Sequence, residues 1–155
     1  MTSLLQNLQT PSARIKTGNS ALDAILSTKK ALAESKGITV NMDVQISNRL
    51  PLEPVDVCVI FGNALDNAIE ACDRLTEGEK RIQLMLVQRE GKLLCHLINT
   101  ALGDNLNVHI TSKLDKENHG FGFVNLKEAL EKYGSEPVIN YKDGRFSLKF
   151  IVYEK

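Results

Sequence analysis

Two asparagines, Asn63 and Asn67, lie four residues apart in a segment that otherwise has the pattern of a helix, FGNALDNAIEACDRL. Asparagine is a poor helix former because its side chain competes for backbone hydrogen bonds. Residues four apart share one face of a helix, so the two carboxamides would project together. Mg²⁺ prefers oxygen ligands, few of them from the protein and the others from phosphates and water. The spacing therefore indicates a magnesium and phosphate site, with a solvated polar face as the alternative.

Two neighbouring stripes run along this helix, which the periodicity predicts over about residues 55–75. The polar stripe comprises Asn63, Asn67, Glu70 and Arg74. The apolar stripe, which we expect to face the core, comprises Cys58, Phe61, Leu65, Ala68, Ile69 and Cys72. The helix is therefore expected to carry carboxamide, carboxylate and guanidinium groups directly beside its core face.

A glycine-containing stretch, HGFGF at residues 119–123, also has the features of a phosphate site. It precedes a predicted helix at residues 124–134, and two glycines allow a backbone to approach a ligand closely. The free N–H groups at the start of a helix are a ready site for phosphate. An ordinary turn is the alternative for the glycines, and local packing or capping is the alternative for His119.

The other segments predict the elements that must position these residues. Apolar periodicity indicates a helix at 19–36 that Gly37 ends, and alternation indicates a strand at 38–46. Further strands are predicted at 81–90, 92–100, 137–142 and 145–153. Short turns between consecutive strands favour antiparallel hairpins. We expect an α+β fold, a two-layer sandwich with a mixed, mainly antiparallel sheet and helices on one face.

The amino-acid composition limits the partners and the cellular location that we expect for this chain. The chain has 155 residues, and its 19 Lys+Arg balance its 19 Asp+Glu, which indicates neither a nucleic-acid partner nor direct membrane contact. Three cysteines without metal-like spacing, Cys58, Cys72 and Cys95, predict buried, reduced thiols. No apolar run long enough to span a bilayer and no signal peptide are evident, so a cytoplasmic location is expected.

The two motifs resemble those of a known family. Asn63-Ala-Leu-Asp-Asn67-Ala68 resembles the N box of the GHKL ATP-binding domains, named for gyrase, Hsp90 chaperones, histidine kinases and MutL. Residues 119–123, with Asn125-Leu126, resemble their second glycine box. The sequence of both motifs is similar to that of sensor histidine kinases of the peptide-pheromone receptor type. The resemblance extends from about Thr17 to the end of the chain.

The resemblance implies the Bergerat fold, with ATP as the phosphoryl donor and Mg²⁺ as the cofactor. Asn67 would be the metal ligand, and Asn63 would occupy the catalytic position near the phosphates, where gyrase-type relatives carry a glutamate. An asparagine there implies phosphoryl transfer to a protein instead of efficient ATP hydrolysis. Asn99 replaces the aspartate that binds the adenine amino group, so weaker nucleotide binding is expected; Gly103 retains a glycine of that box.

The resemblance also implies the remaining nucleotide contacts. Residues 104–118 would form the lid over ATP, where Lys113 would reach the phosphates, with a solvent-facing lysine as the alternative. The nucleotide-binding set would be Asn63, Asn67, Glu70, Asn99, Gly103, Lys113, His119, Gly120, Phe121, Gly122 and Phe123.

A histidine kinase phosphorylates a histidine of its own dimerisation helix, and none of the three histidines here lies in such a helix. We therefore expect a catalytic fragment, residues 17–155, preceded by the tail of a dimerisation segment or a flexible N-terminus at 1–16. Its partners would be the dimerisation domain of a membrane-anchored receptor and a downstream response regulator. The alternatives are an anti-sigma-factor-like serine kinase and a degenerate interaction domain that has lost ATP; a gyrase-type ATPase is disfavoured by Asn63.

Overall fold

The computed structural model describes residues 15–47, 49–102 and 120–154. Within these ranges the chain forms three helices and five strands, in the order predicted from the sequence. They are α1 (Ser20–Ser35), β1 (Thr39–Gln45), α2 (Pro54–Asp73), β2 (Arg81–Arg89), β3 (Lys92–Thr100), α3 (Gly120–Glu131), β4 (Val138–Lys142) and β5 (Arg145–Tyr153).

The five strands form one sheet in the order β1-β2-β3-β5-β4. β1 and β2 are parallel, and the other neighbours are antiparallel. Parallel strands need a long crossover connection, and here α2 supplies it. The expected α+β sandwich with a mixed, mainly antiparallel sheet is therefore confirmed.

All three helices belong to one layer, and the core lies between this layer and the sheet. Alternate residues of the central strands are buried, for example Leu84 in β2 and Leu97 in β3. Phe61 of α2 and Phe150 of β5 meet with their ring centroids 6.0 Å apart. The opposite face of the sheet, where the other alternate residues lie, is covered by none of these three helices.

The ends of α1 follow local rules. Asn19 caps the start, because its Oδ1 accepts a hydrogen bond of 3.0 Å from the Leu22 N–H. Gly37 follows the end with a φ of 77°, a conformation that favours glycine, as its position in the sequence predicts. No helix of the described ranges combines the length and apolarity needed to cross a bilayer.

Two expectations were wrong in detail. Cys58 is exposed, whereas Cys72 and Cys95 are buried as expected. The buried face of α2 includes Val57 instead. Its neighbour Cys58 points in another direction, because successive residues of a helix are rotated by about 100°. The third helix begins at Gly120 and not after Phe123, so the glycine stretch forms its first turn.

Candidate functional site

Asn63 and Asn67 lie on one side of α2, and both are half-buried. The Asn63 Nδ2 donates a 2.8 Å hydrogen bond to the Val59 carbonyl oxygen one turn earlier. Such a bond to the preceding turn orients the side chain along its own helix. It holds the amide nitrogen of Asn63 against α2, and the Oδ1 atom is then the end that faces the neighbouring helix.

The neighbouring helix approaches these oxygens most closely at Gly122. A Cβ atom at this glycine would lie 3.2 Å from the Asn63 Oδ1 and 3.7 Å from the Asn67 Oδ1. Both carboxamide oxygens therefore converge on one backbone position of α3. Space, and not an unusual φ, is what favours glycine here, because Gly122 lies within a regular helix.

The first turn of α3 adds hydrogen-bond donors to this position. The first four N–H groups of a helix have no partner within it, and the positive end of the helix dipole lies there. Since α3 begins at Gly120, Gly122 belongs to this turn. The site thus combines two carboxamide oxygens, which can bind a hard cation, with a helix start that can bind phosphate.

Asn99 lies at the end of β3, on the face of the sheet that the helices cover, and is 2% exposed. Its Nδ2 donates a 3.0 Å hydrogen bond to the Thr100 carbonyl oxygen. The Cys72 Sγ of α2 lies 3.6 Å from the same oxygen. Cys72 is five residues beyond Asn67, a rise of about 7.5 Å along the helix. The end of β3 therefore lies beside the same half of α2 as Asn67.

The remaining polar stripe of α2 is less enclosed. Glu70 is half-buried and Arg74 is exposed. Across the described ranges, no group of three or more His, Cys, Asp and Glu side chains could hold a metal ion. The paired carboxamide oxygens are consequently the part of this site whose chemistry fits Mg²⁺, with phosphates and water as its other ligands.

Gly103, Lys113 and His119 lie outside the described residues. Gly120 and Phe121 are described only as backbone within α3. Phe123 packs against the core, which it shares with other residues of the helix layer.

Sequence reasoning missed a polar cluster that joins the start of α2 to the turn that follows α3. The buried Asp56 carboxylate accepts a hydrogen bond of 2.5 Å from the Tyr133 hydroxyl and forms an ion pair of 2.8 Å with Lys132. The same hydroxyl accepts a 3.0 Å bond from the Glu53 N–H. Burial alone would raise the pKa of Asp56, but the hydrogen bonds from Lys132 and Tyr133 outweigh it, so this pKa is lowered.

This cluster helps to set how α2 and α3 pack, and thus where Gly122 meets Asn63. Asp56 and Tyr133 are 77 residues apart in the chain, so no local pattern links them. Asp56 stands in the first turn of α2, where an acidic residue is favoured by the helix dipole alone. Its sequence position therefore did not indicate a contact with the turn after α3.

The sequence profile described as the GHKL domain matches residues 52–152. This is more than half of the chain, which therefore belongs to the GHKL domain family.

Solved structures give the same fold. The catalytic domain of histidine kinase ThkA superposes with a TM-score of 0.68 at 12% identity, over 87% of this chain and 90% of that one. The mycobacterial sensor histidine kinase MprB superposes with a TM-score of 0.63 at 14% identity, over 86% of this chain and 93% of that one. Full-length ShkA, solved in complex with AMPPNP, gives 0.65 at 15% identity, over 90% of this chain and 30% of ShkA.

These identities are low, so the structural likeness concerns the fold alone. A comparison with curated protein sequences finds no match. The resemblance to the peptide-pheromone receptor subfamily accordingly stays a prediction.

Proposed function

We propose that this chain is the ATP-binding catalytic domain of a two-component sensor histidine kinase of the peptide-pheromone receptor type. It would transfer the γ-phosphoryl group of ATP to a histidine on a separate dimerisation domain. The observation that carries the proposal is the convergence of the Asn63 and Asn67 oxygens on Gly122, in the first turn of α3. Family membership and the histidine kinase fold support it.

Each group has a role in this proposal. Asn67 would bind Mg²⁺ through its Oδ1, and the bound ion would offset the negative charge of the phosphates. Asn63, held by its bond to Val59, would use its Oδ1 to orient a water ligand of the bound ion beside the first turn of α3. The buried Asn99 could accept a hydrogen bond from the adenine amino group through its Oδ1.

The side chain at position 63 also affects which reaction is favoured. A carboxamide has no basic group near neutral pH, so Asn63 cannot take a proton from an attacking water as a carboxylate could. Transfer to an acceptor that a partner domain brings is therefore favoured over ATP hydrolysis. In the cell, the phosphoryl group would pass from the acceptor histidine to a response regulator in the cytoplasm.

Calorimetric titration of ATP and ADP, with and without Mg²⁺, tests the nucleotide site. We expect binding that requires Mg²⁺ and is lost in Asn67→Ala. The matched control is Asn41→Ala, because Asn41 is an exposed asparagine of β1, on the uncovered side of the sheet. Absence of both heat and thermal stabilisation at millimolar nucleotide would overturn the nucleotide site.

Phosphoryl transfer needs a second experiment. The chain is mixed with the dimerisation fragment of a related receptor and radiolabelled ATP, and the labelled protein is then treated with acid. Acid-labile label on histidine is expected. Label that survives acid would indicate a serine kinase instead, and no label in spite of ATP binding would contradict the kinase proposal.

A second candidate is an interaction domain that works without nucleotide. It is favoured by the first glycine box, where Asn99 replaces the usual aspartate and bonds to its own strand end at Thr100. The calorimetric experiment separates the two candidates, because only the catalytic domain must bind ATP.

A further inference from the structure

The open face of the sheet, which the helices do not cover, carries an unbalanced charge. Across the described strands, alternation places six cationic side chains on this face against one carboxylate, Asp43, and one of the six, Arg81, is ion-paired with Glu79 just before β2. The chain as a whole has a formal net charge of zero, so this face is basic within a neutral protein. The six cations are Arg81, Arg89, Lys92, Lys142, Arg145 and Lys149.

Strand pairing concentrates part of this charge. Lys142 is paired directly with Arg145, and His96 directly with Lys149. Like charges opposite each other destabilise a sheet, so folding alone does not explain the pairing of Lys142 with Arg145. Burial, together with the charge of Lys149, lowers the pKa of His96.

These four side chains line a shallow cavity of about 630 Å³ together with Asn140, Ser147, Ile98 and the turn residue Asp143. Among the described residues, no carboxylate forms an ion pair with Lys142, Arg145 or Lys149. We call this group, His96, Lys142, Arg145 and Lys149, the basic cluster. Its three permanently charged members are thus available to a negatively charged partner.

Exposed apolar side chains share this face, and one of them, Met85, lies directly opposite His96 of the basic cluster. Val138 and Tyr153 are 62% and 61% exposed, and Met85 and Ile151 are 40% and 37% exposed. They make up four of the seven large hydrophobic residues exposed in the described part of the chain. An exposed apolar surface edged by charges is typical of a protein–protein contact.

We propose that the open face of the sheet is a docking surface for an acidic protein partner, whose carboxylates meet the basic cluster and whose apolar groups meet Met85, Val138 and Ile151. Charge complementarity of this kind directs association and fixes the orientation of the partner. Nucleic acid fits less well, because Tyr153 is the sole aromatic side chain that the described strands present on this face for base stacking.

The docking surface is separate from the proposed nucleotide site. Asn63 and Asn67 lie in the helical layer, on the other side of the sheet. A partner on the open face would therefore leave the start of α3 accessible. The inference does not depend on ATP binding, and either proposal can fail without the other.

The test is fluorescence anisotropy of a labelled peptide rich in glutamate with interspersed leucines, beside the same peptide with glutamine in place of glutamate. The protein should bind the glutamate peptide alone, and added salt should weaken the binding. Lys149→Glu and Arg145→Glu should each weaken it about tenfold, because reversal replaces an attraction with a repulsion. Lys149→Gln, which only removes the charge, should have a smaller effect.

The matched control is Lys127→Glu, which reverses an exposed lysine of α3 in the helical layer and should leave binding unchanged. Circular dichroism and thermal melting establish that each variant is folded. The proposal is overturned if the glutamate peptide does not bind, or if Lys127→Glu weakens binding as much as Lys149→Glu. Tighter binding of a single-stranded oligonucleotide or of phosphatidylserine vesicles would also overturn it, in favour of nucleic acid or membrane.

Discussion

Replacing Gly122 by alanine tests whether the close contact between α2 and α3 is needed for nucleotide binding. The substitution should change the stability of the fold little. The new Cβ would lie 3.2 Å from the Asn63 Oδ1, so this oxygen must move by a few tenths of an ångström. The bond of Asn63 to the Val59 carbonyl, 2.8 Å long, opposes such a movement. The substitution therefore displaces the Asn63 carboxamide without changing its chemistry, and the Asn67 Oδ1, at 3.7 Å from the new Cβ, stays in ordinary contact.

The expected effects on stability nearly cancel. Alanine is better than glycine within a helix by up to about 1 kcal/mol. Weakening the Asn63–Val59 hydrogen bond costs about 1 kcal/mol. The free energy of unfolding should therefore stay within about 1 kcal/mol of wild type. Hydrogen bonds to charged groups contribute about 1.5–3 kcal/mol, so loss of the bond between the Asn63 Oδ1 and a water held by Mg²⁺ should weaken Mg-ATP binding roughly 10- to 150-fold.

Gly62→Ala is the matched control. Gly62 is also a helical glycine and precedes Asn63, but its added Cβ would meet the Ile25 Cδ1 at 3.4 Å, the end of a flexible apolar side chain. This variant should keep its affinity for nucleotide and become up to about 1 kcal/mol more stable. Urea unfolding and calorimetry measure the two quantities for both variants. If Gly122→Ala binds Mg-ATP as tightly as Gly62→Ala, the close approach of α3 to Asn63 is not part of the site.

Three further variants test other contacts. Asn99→Asp should bind ATP about tenfold more tightly in calorimetry, because charged hydrogen bonds are roughly twice as strong as neutral ones. Unchanged affinity would contradict the proposed contact between residue 99 and the adenine amino group. Tyr133→Phe should lower the free energy of unfolding in urea by about 1–3 kcal/mol, since Asp56 loses a donor. His96→Gln should make stability less dependent on pH. The lowered pKa of His96 means that the unfolded chain binds its proton more tightly, so wild type loses stability as pH falls through about 6.5.

Controls accompany these variants. Tyr141→Phe, at a half-buried tyrosine of β4, is the comparison for Tyr133→Phe and shows the cost of removing a hydroxyl elsewhere. For His96, the pH series compares wild type directly with His96→Gln, because other groups titrate in both proteins. An equal pH dependence of the two proteins would contradict the assigned role of His96.

Much of the fold could be predicted because its signals are local. The period-two pattern of RIQLMLVQR identifies both β2 and its buried face, and the hairpin at Asp143-Gly144 follows from turn chemistry. Elements whose environment is set by distant residues were predicted less well. Cys58 lies in the apolar pattern of α2, yet it is exposed among the described residues. The sequence pattern predicts a later start for α3 than the structure shows, because glycines weaken a helical pattern even where the helix includes them.

The sequence by itself determined that Asn63 and Asn67 share one helix face, because the helical period relates residues four apart whatever surrounds them. Strand alternation likewise determined which residues share a face of the sheet. Only the tertiary structure decided that Gly122 meets both carboxamides, that Tyr133 holds Asp56, and that Lys149 lies opposite His96. These contacts join residues more than 50 positions apart, and their geometry depends on how whole helices and strands pack.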